Sequence, residues 1–279
     1  MMSLVLAAGC SAGPVTGHPA GAAAGPGGSS PGYWTRDRLL RAQPYFGLRS
    51  ARHALGQSAT ARPGLRALRV GALFVREPGG DHFCTASVVD SPGQDLLITA
   101  AHCINGGKNG GYRRDLVFVP GYRDGQAPFG IWEVAKLLVA PQWASSSNPD
   151  FDIGFVVLAA HDGRNIEDVL GANRLNLDTG YRYLVRVTGY PDGAQAPIAC
   201  INWTSRESAT QLRFGCAGYT GGTSGSPWVT RFNPRTRNGT IVGVIGGYQE
   251  GGNTASISYS PILGEQVQQL YRQAEAVKP

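Results

Sequence analysis

From Val70 onward the chain is a succession of short apolar runs cut at close intervals by glycine and proline, and that punctuation leaves little room for long helices. Val70–Val75 and His82–Asp90 flank the turn-rich Glu77-Pro78-Gly79-Gly80-Asp81 and read as a β-hairpin. A further turn at Ser91-Pro92-Gly93 leads to the strand-like runs Leu96–Thr99, Asp115–Val119, Ile131–Val134, Ile153–Leu158 and Tyr183–Val187. This spacing suits an all-β barrel or sandwich. The last run differs. Ser260 reads as an N-cap and Pro261 as a first helical residue, and Leu263, Val267, Leu270 and Tyr271 fall at helical spacing, so one amphipathic C-terminal helix is expected.

With 279 residues, 42% of them hydrophobic and 16% charged, the chain is long enough for one full core. The net charge of +6 would permit a nucleic-acid partner, but the basic residues are scattered. Their densest stretch, Arg36 to Arg69, precedes the strand-rich region and reads as a solvated arm, so no nucleic-acid partner is expected.

Ahead of Val70 the chain divides into three parts. Residues 1–10, Met1 to Cys10, form an apolar run closed by small residues before a cysteine, which resembles a bacterial lipoprotein signal; an unlipidated signal remnant is the alternative. The resemblance implies a lipid-modified Cys10 that tethers the protein to the outer face of the cell membrane, each buried methylene contributing ~0.8 kcal/mol. Residues 11–32, almost entirely Gly, Ala, Ser and Pro, read as a flexible linker. Residues 33–69 suit either a propeptide or a packed N-terminal extension. Residues 70–279 form the main domain. Cys84, Cys103, Cys200 and Cys216 remain as an even set with three possible pairings, and none has C-x-x-C spacing, which favours disulfides in a secreted protein over a metal or redox site.

Three segments carry chemistry. Leu97-Ile98-Thr99-Ala100-Ala101-His102-Cys103 is a strand running into a histidine. Asn148-Pro149-Asp150-Phe151-Asp152 places two acids at the head of an apolar strand. Tyr219-Thr220-Gly221-Gly222-Thr223-Ser224-Gly225-Ser226-Pro227 surrounds a serine with glycine. Together, in His, Asp, Ser order, they resemble the trypsin-like serine proteases, with the serine motif closest in style to bacterial glutamyl endopeptidases. The resemblance covers roughly Val70 to Tyr271. It implies two six-stranded antiparallel Greek-key barrels and the catalytic residues His102, Asp152 and Ser224, with Asp150 and Ser226 as decoys. It also implies an oxyanion hole from the N–H groups of Gly222 and Ser224, and a disulfide joining Cys84 to Cys103, beside which Cys200–Cys216 is expected. The α/β-hydrolase pattern fits worse, since Ser226 stands where its elbow needs glycine and the order of Asp and His would be reversed.

The expected activity is peptide-bond hydrolysis on protein or peptide substrates by a monomer, without metal or organic cofactor. An esterase using the same triad, or an inert surface-tethered binding module, is the alternative. Two departures from the family matter. Thr223 stands where activated relatives carry the aspartate that pairs with a new N-terminal ammonium. Gly246 replaces a frequent serine, which predicts the loss of one hydrogen bond to Asp152. For the substrate pocket, Gly218 occupies the floor position and Ile245 the position of the glutamyl endopeptidases' histidine. With Tyr219, Gly246, Gly247 and Tyr248 they predict an uncharged cleft, on a segment (Gly243 to Tyr248) resembling the one that pairs with substrate backbone.

Overall fold

The computed structural model describes residues 24–28, 32–45, 59–64, 68–178 and 180–279, and all structural statements concern these. Cys10 and most of the glycine-rich segment lie outside them. The predicted hairpin forms as β1 (Val70–Glu77) and β2 (Gly80–Val88), with Glu77 paired to Gly80 across a two-residue turn. It continues into β3 (Leu96–Thr99), β4 (Arg114–Pro120), β5 (Trp132–Val139) and β6 (Gly154–Leu158). The order β5-β4-β1-β2-β3-β6 is closed by pairing of β5 with β6, giving a six-stranded antiparallel barrel. A second sheet runs β11-β10-β7-β8-β9-β12 and is built from β7 (Leu184–Gly189), β8 (Ile198–Arg206), β9 (Gln211–Gly215), β10 (Pro227–Asn233), β11 (Asn238–Val244) and β12 (Ile257–Pro261). Beyond β11 the N–H of Gly246 reaches the carbonyl of Tyr259 on β12 (3.0 Å), which draws the two ends of the sheet together.

Strands β3 and β6 lack polar alternation because both of their faces are buried. Leu97 and Val156 point into the first barrel, whereas Leu96, Ile98, Phe155 and Val157 join a core shared with Val229 and Ile241 of the second sheet. The four-residue strand that carries the candidate histidine is therefore gripped from two sides.

The C-terminal helix spans Glu265–Glu275 and buries Val267, Leu270 and Ala274 in that shared core. It begins later than the sequence suggests. Ser260 and Pro261 are the end of β12, paired with Leu212 and Gln211, and the Ser260 hydroxyl accepts the Val244 N–H (2.9 Å). Sheet pairing outcompetes local capping there, and Gly264 takes the N-cap position.

The described part of residues 33–69 is packed on the domain. Thr35 caps a short helix, α1 (Arg36–Arg41), and Trp34, Leu39 and Ala42 cover Ala72, Phe74 and Phe83 on the outside of the first barrel. Gln43 and Pro44 pair with His82 and Phe83 of β2, and Trp34 donates its indole N–H to the Asp115 carbonyl (3.0 Å). Gly25 and Pro26, from the segment expected to be a linker, pair with Leu137 and Lys136 of β5. Cys84 is bonded to Cys103 and Cys200 to Cys216. Among the described residues no helix is long and apolar enough to cross a membrane.

Candidate active site

Strand β3 ends in one 3-10 turn, Ala101–Cys103, that carries His102. The disulfide from Cys103 to the middle of β2 ties this turn to the barrel wall, and His102 is only 2% exposed. Across the barrel rim a second 3-10 turn, Pro149–Phe151, capped by the Asn148 side chain, delivers Asp152 at the mouth of β6. Asp152 is fully buried, a placement a carboxylate tolerates only with partners. It has three. Oδ1 accepts the backbone N–H of His102 (2.9 Å), and Oδ2 lies 2.7 Å from His102 Nδ1 and accepts the backbone N–H of Gly247 (2.8 Å). An ionised carboxylate can only accept, so Nδ1 is a protonated ring nitrogen, and in the neutral ring that leaves the lone pair on Nε2. The neighbouring acid faces elsewhere, since Asp150 accepts from the Gln211 amide (2.7 Å).

Ser224 sits on a loop that folds because glycine occupies its left-handed positions. Gly222 and Gly225 both have φ of +82°. A Cβ on Gly225 would lie 2.1 Å from the Thr85 carbonyl oxygen and 2.2 Å from Thr99 Oγ1, so the loop is pressed against the segment leading to His102. The Ser224 carbonyl accepts from the Thr85 N–H (2.8 Å), and Gly225 donates to the Ile245 carbonyl (2.7 Å). The Ser224 loop is thus held where the second sheet abuts the barrel strands that lead to His102. Among the described residues, no protein acceptor takes the N–H of Gly222 or of Ser224.

A model of the trypsin family matches residues 59–263, well over half of the chain. The chain belongs to the trypsin family. Solved structures agree with that assignment. The protease Anisep from Arthrobacter nicotinovorans superposes with a TM-score of 0.70 at 26% identity, covering 78% of this chain and 100% of its own. The thermostable serine protease AL20, from an extremophilic microorganism, gives 0.69 at 25% identity, covering 76% of this chain and 99% of its own. A Glu endopeptidase shares the fold, with a TM-score of 0.61 at 16% identity over 79% of this chain and 98% of its own. No curated protein matches the sequence. Family and neighbours make this trypsin-family chain a peptidase.

The expected pocket residues are distributed unevenly in this family member. Tyr219 is wholly buried in the core of the second sheet, packed edge-to-face on Phe214 and donating its hydroxyl to the Val187 carbonyl (2.8 Å). Burial holds its phenol far above the ordinary range. Ile245 is buried beside it. Gly218 bonds to the Ala255 carbonyl (2.9 Å) and faces Ala61, while Tyr248 is 46% exposed and packs edge-to-face on Tyr259. The bond forfeited by Gly246 is recovered one residue later through the main chain of Gly247, and a Cβ at 246 would stand only 3.1 Å from Asp152 Oδ2. Gln211, which joins Asp150 to the Tyr248 N–H (3.2 Å), carries no motif in the sequence and becomes visible only when β9 folds against the Asp152 turn. Cys84, His102 and Cys103 bring ligand-type atoms within 4.8 Å of one another. The two sulfurs are spent in a disulfide, so the cluster offers no thiolate to a metal.

Proposed function

We propose that the protein is a serine endopeptidase in which Ser224 is the nucleophile, His102 the general base and Asp152 the group that orients His102. The Ser224 oxygen attacks the peptide carbonyl while its proton passes to His102 Nε2. The resulting oxyanion is met by the N–H groups of Gly222 and Ser224, each such donor contributing ~3–4 kcal/mol in related chemistry. The C–N bond then breaks as His102 returns the proton to the leaving amine, and water, activated by the same base, hydrolyses the acyl-enzyme. The observation that carries this reading is the Asp152 carboxylate, fully buried and holding both the ring and the backbone of His102. A fluorophosphonate probe tests it: the expected result is one covalent adduct on Ser224, and an unlabelled protein with intact fold would leave only the inert binding module.

The uncharged character of Gly218, Ile245, Gly246 and Gly247 supports cleavage after apolar or small uncharged residues, because an unpaired charge desolvated there would cost several kcal/mol. Profiling on a diverse peptide pool checks this, and dominant cleavage after Lys, Arg or Glu would overturn it. Two disulfides support an extracytoplasmic site of action. Tethering through Cys10 is tested by palmitate labelling, expected to vanish in Cys10→Ala.

A further inference from the structure

The geometry points to Arg113 as a positioning residue for His102, gripping its backbone carbonyl from outside the triad and itself held by Glu77 and by Tyr45 of the N-terminal extension. This rests on the reading of His102 as the general base. The turn Ala101–Cys103 satisfies the carbonyls of Ala100 and Ala101 through Cys103, Ile104 and Asn105, but the carbonyl of His102 lies at its open end. Residues 105–112 form a loop closed by the Asn105–Tyr112 bridge, which returns the chain so that Arg113 donates its own N–H to the Ile104 carbonyl (3.0 Å). From there its side chain reaches back. Nε and Nη2 both donate to the His102 carbonyl oxygen, at 3.3 and 3.2 Å, a fork only guanidinium provides. Nη1 pairs with Glu77 Oε1 of β1, and the guanidinium carbon stands 4.0 Å from the centroid of the Tyr45 ring.

Each holder comes from a different part of the chain. Glu77 precedes the hairpin turn, and Tyr45 follows the helix α1 and is fixed by its N–H to the Phe83 carbonyl (2.9 Å), one residue before the disulfide. The Arg113 side chain is only 10% exposed, and burial pushes its guanidinium down to about 10, with the charge of Glu250 opposing the fall, so it stays cationic at neutral pH. A surface ion pair would be worth little. This one is desolvated and bonded to the residue that must hold its ring in register with Ser224.

The arrangement also bears on protonation. The groups facing this cluster are Glu77 from β1, His82 from β2, Tyr45 from the extension, Glu250 from the turn Tyr248–Gly251, and Asp152 across the imidazole. A cation on the His102 carbonyl disfavours imidazolium. Removing it, which also leaves Glu77 without its counter-ion, moves the His102 titration to higher pH by either route.

The test compares Arg113→Ala and Tyr45→Ala with the full-length parent, measuring kcat and KM on a chromogenic ester, thermal stability, and the His102 ring titration by NMR. For Arg113→Ala the expected result is a kcat lowered up to about a hundredfold with KM within about twofold, the loss a misplaced catalytic group produces. Partial restoration by added guanidinium and a His102 titration raised by about half a pH unit are expected with it. Tyr45→Ala moves the same quantities less and covers the case in which Arg113→Ala does not fold. An unchanged kcat, or a loss that tracks thermal stability alone with no guanidinium rescue and an unmoved His102 titration, overturns the proposal. The NMR titration needs no turnover, so a parent without hydrolytic activity would sink the triad reading, whereas an active parent with an unmoved titration and an unchanged kcat in Arg113→Ala would sink this one alone.

Discussion

The first barrel and the second sheet hold their shares of the site by different means. The barrel is closed strand to strand, and it presents His102 and Asp152 on two 3-10 turns at its rim, one stapled by Cys84–Cys103 and the other capped by Asn148. The second sheet presents Ser224 on a loop with no regular ladder, shaped by glycines and wedged against Thr85 and Thr99 of the barrel. His102 and Asp152 are thus held mainly by the barrel, with one bond to Asp152 from Gly247, whereas the position of Ser224 depends on the contact between the two sheets. Substitutions on the two sides should fail differently.

The largest effect is expected from Ser224→Ala. Turnover falls by on the order of a millionfold, while the melting temperature stays where it was because no described packing depends on the hydroxyl. Normal peptide cleavage by the purified variant would remove Ser224 from the mechanism. Asp152→Asn comes next, with kcat down by on the order of ten-thousandfold. Here stability should fall as well, since an amide cannot accept from His102 N–H, His102 Nδ1 and Gly247 N–H together; calorimetry showing an unchanged melting temperature would contradict the described cage. Gly225→Ala attacks the contact between the sheets. With a Cβ 2.1 Å from the Thr85 oxygen at a φ of +82°, it should cost about 4 kcal/mol in chemical denaturation. Gly79→Ala, with open space around it, serves as the control, expected within about 0.5 kcal/mol of the parent. The disulfide replacements, somewhat milder than Gly225→Ala, sharpen the comparison most. Replacing Cys84 and Cys103, or Cys200 and Cys216, by alanine should cost a similar ~3 kcal/mol because the closed loops, 19 and 16 residues, are alike. Activity in conditions where both variants are folded should drop mainly in the first, whose bridge abuts His102, and equal activity losses would erase the distinction between the two halves.

Local pattern in the sequence was enough for the hairpin, the series of strands, the C-terminal helix and the family, because alternation, turn residues and short motifs are written within a few positions of one another. His102, Asp152 and Ser224 could be nominated as candidates for the same reason, each lying inside a compact motif. What only the tertiary structure decided depends on partners far apart along the chain. It supplied Gly247 N–H across a separation of 95 residues where Gly246 lacks a side chain, and sank Tyr219 into the core instead of the cleft. It also ended β12 at Pro261, where a helix start was expected, because a ladder partner at Gln211 outweighs a local cap. The segment ahead of Val70 makes the same point. Nothing in its own composition shows that Trp34 and Leu39 are buried or that Tyr45 covers Arg113, since apolar and aromatic side chains are directed by the surface that receives them, and that surface exists only once the barrel has closed.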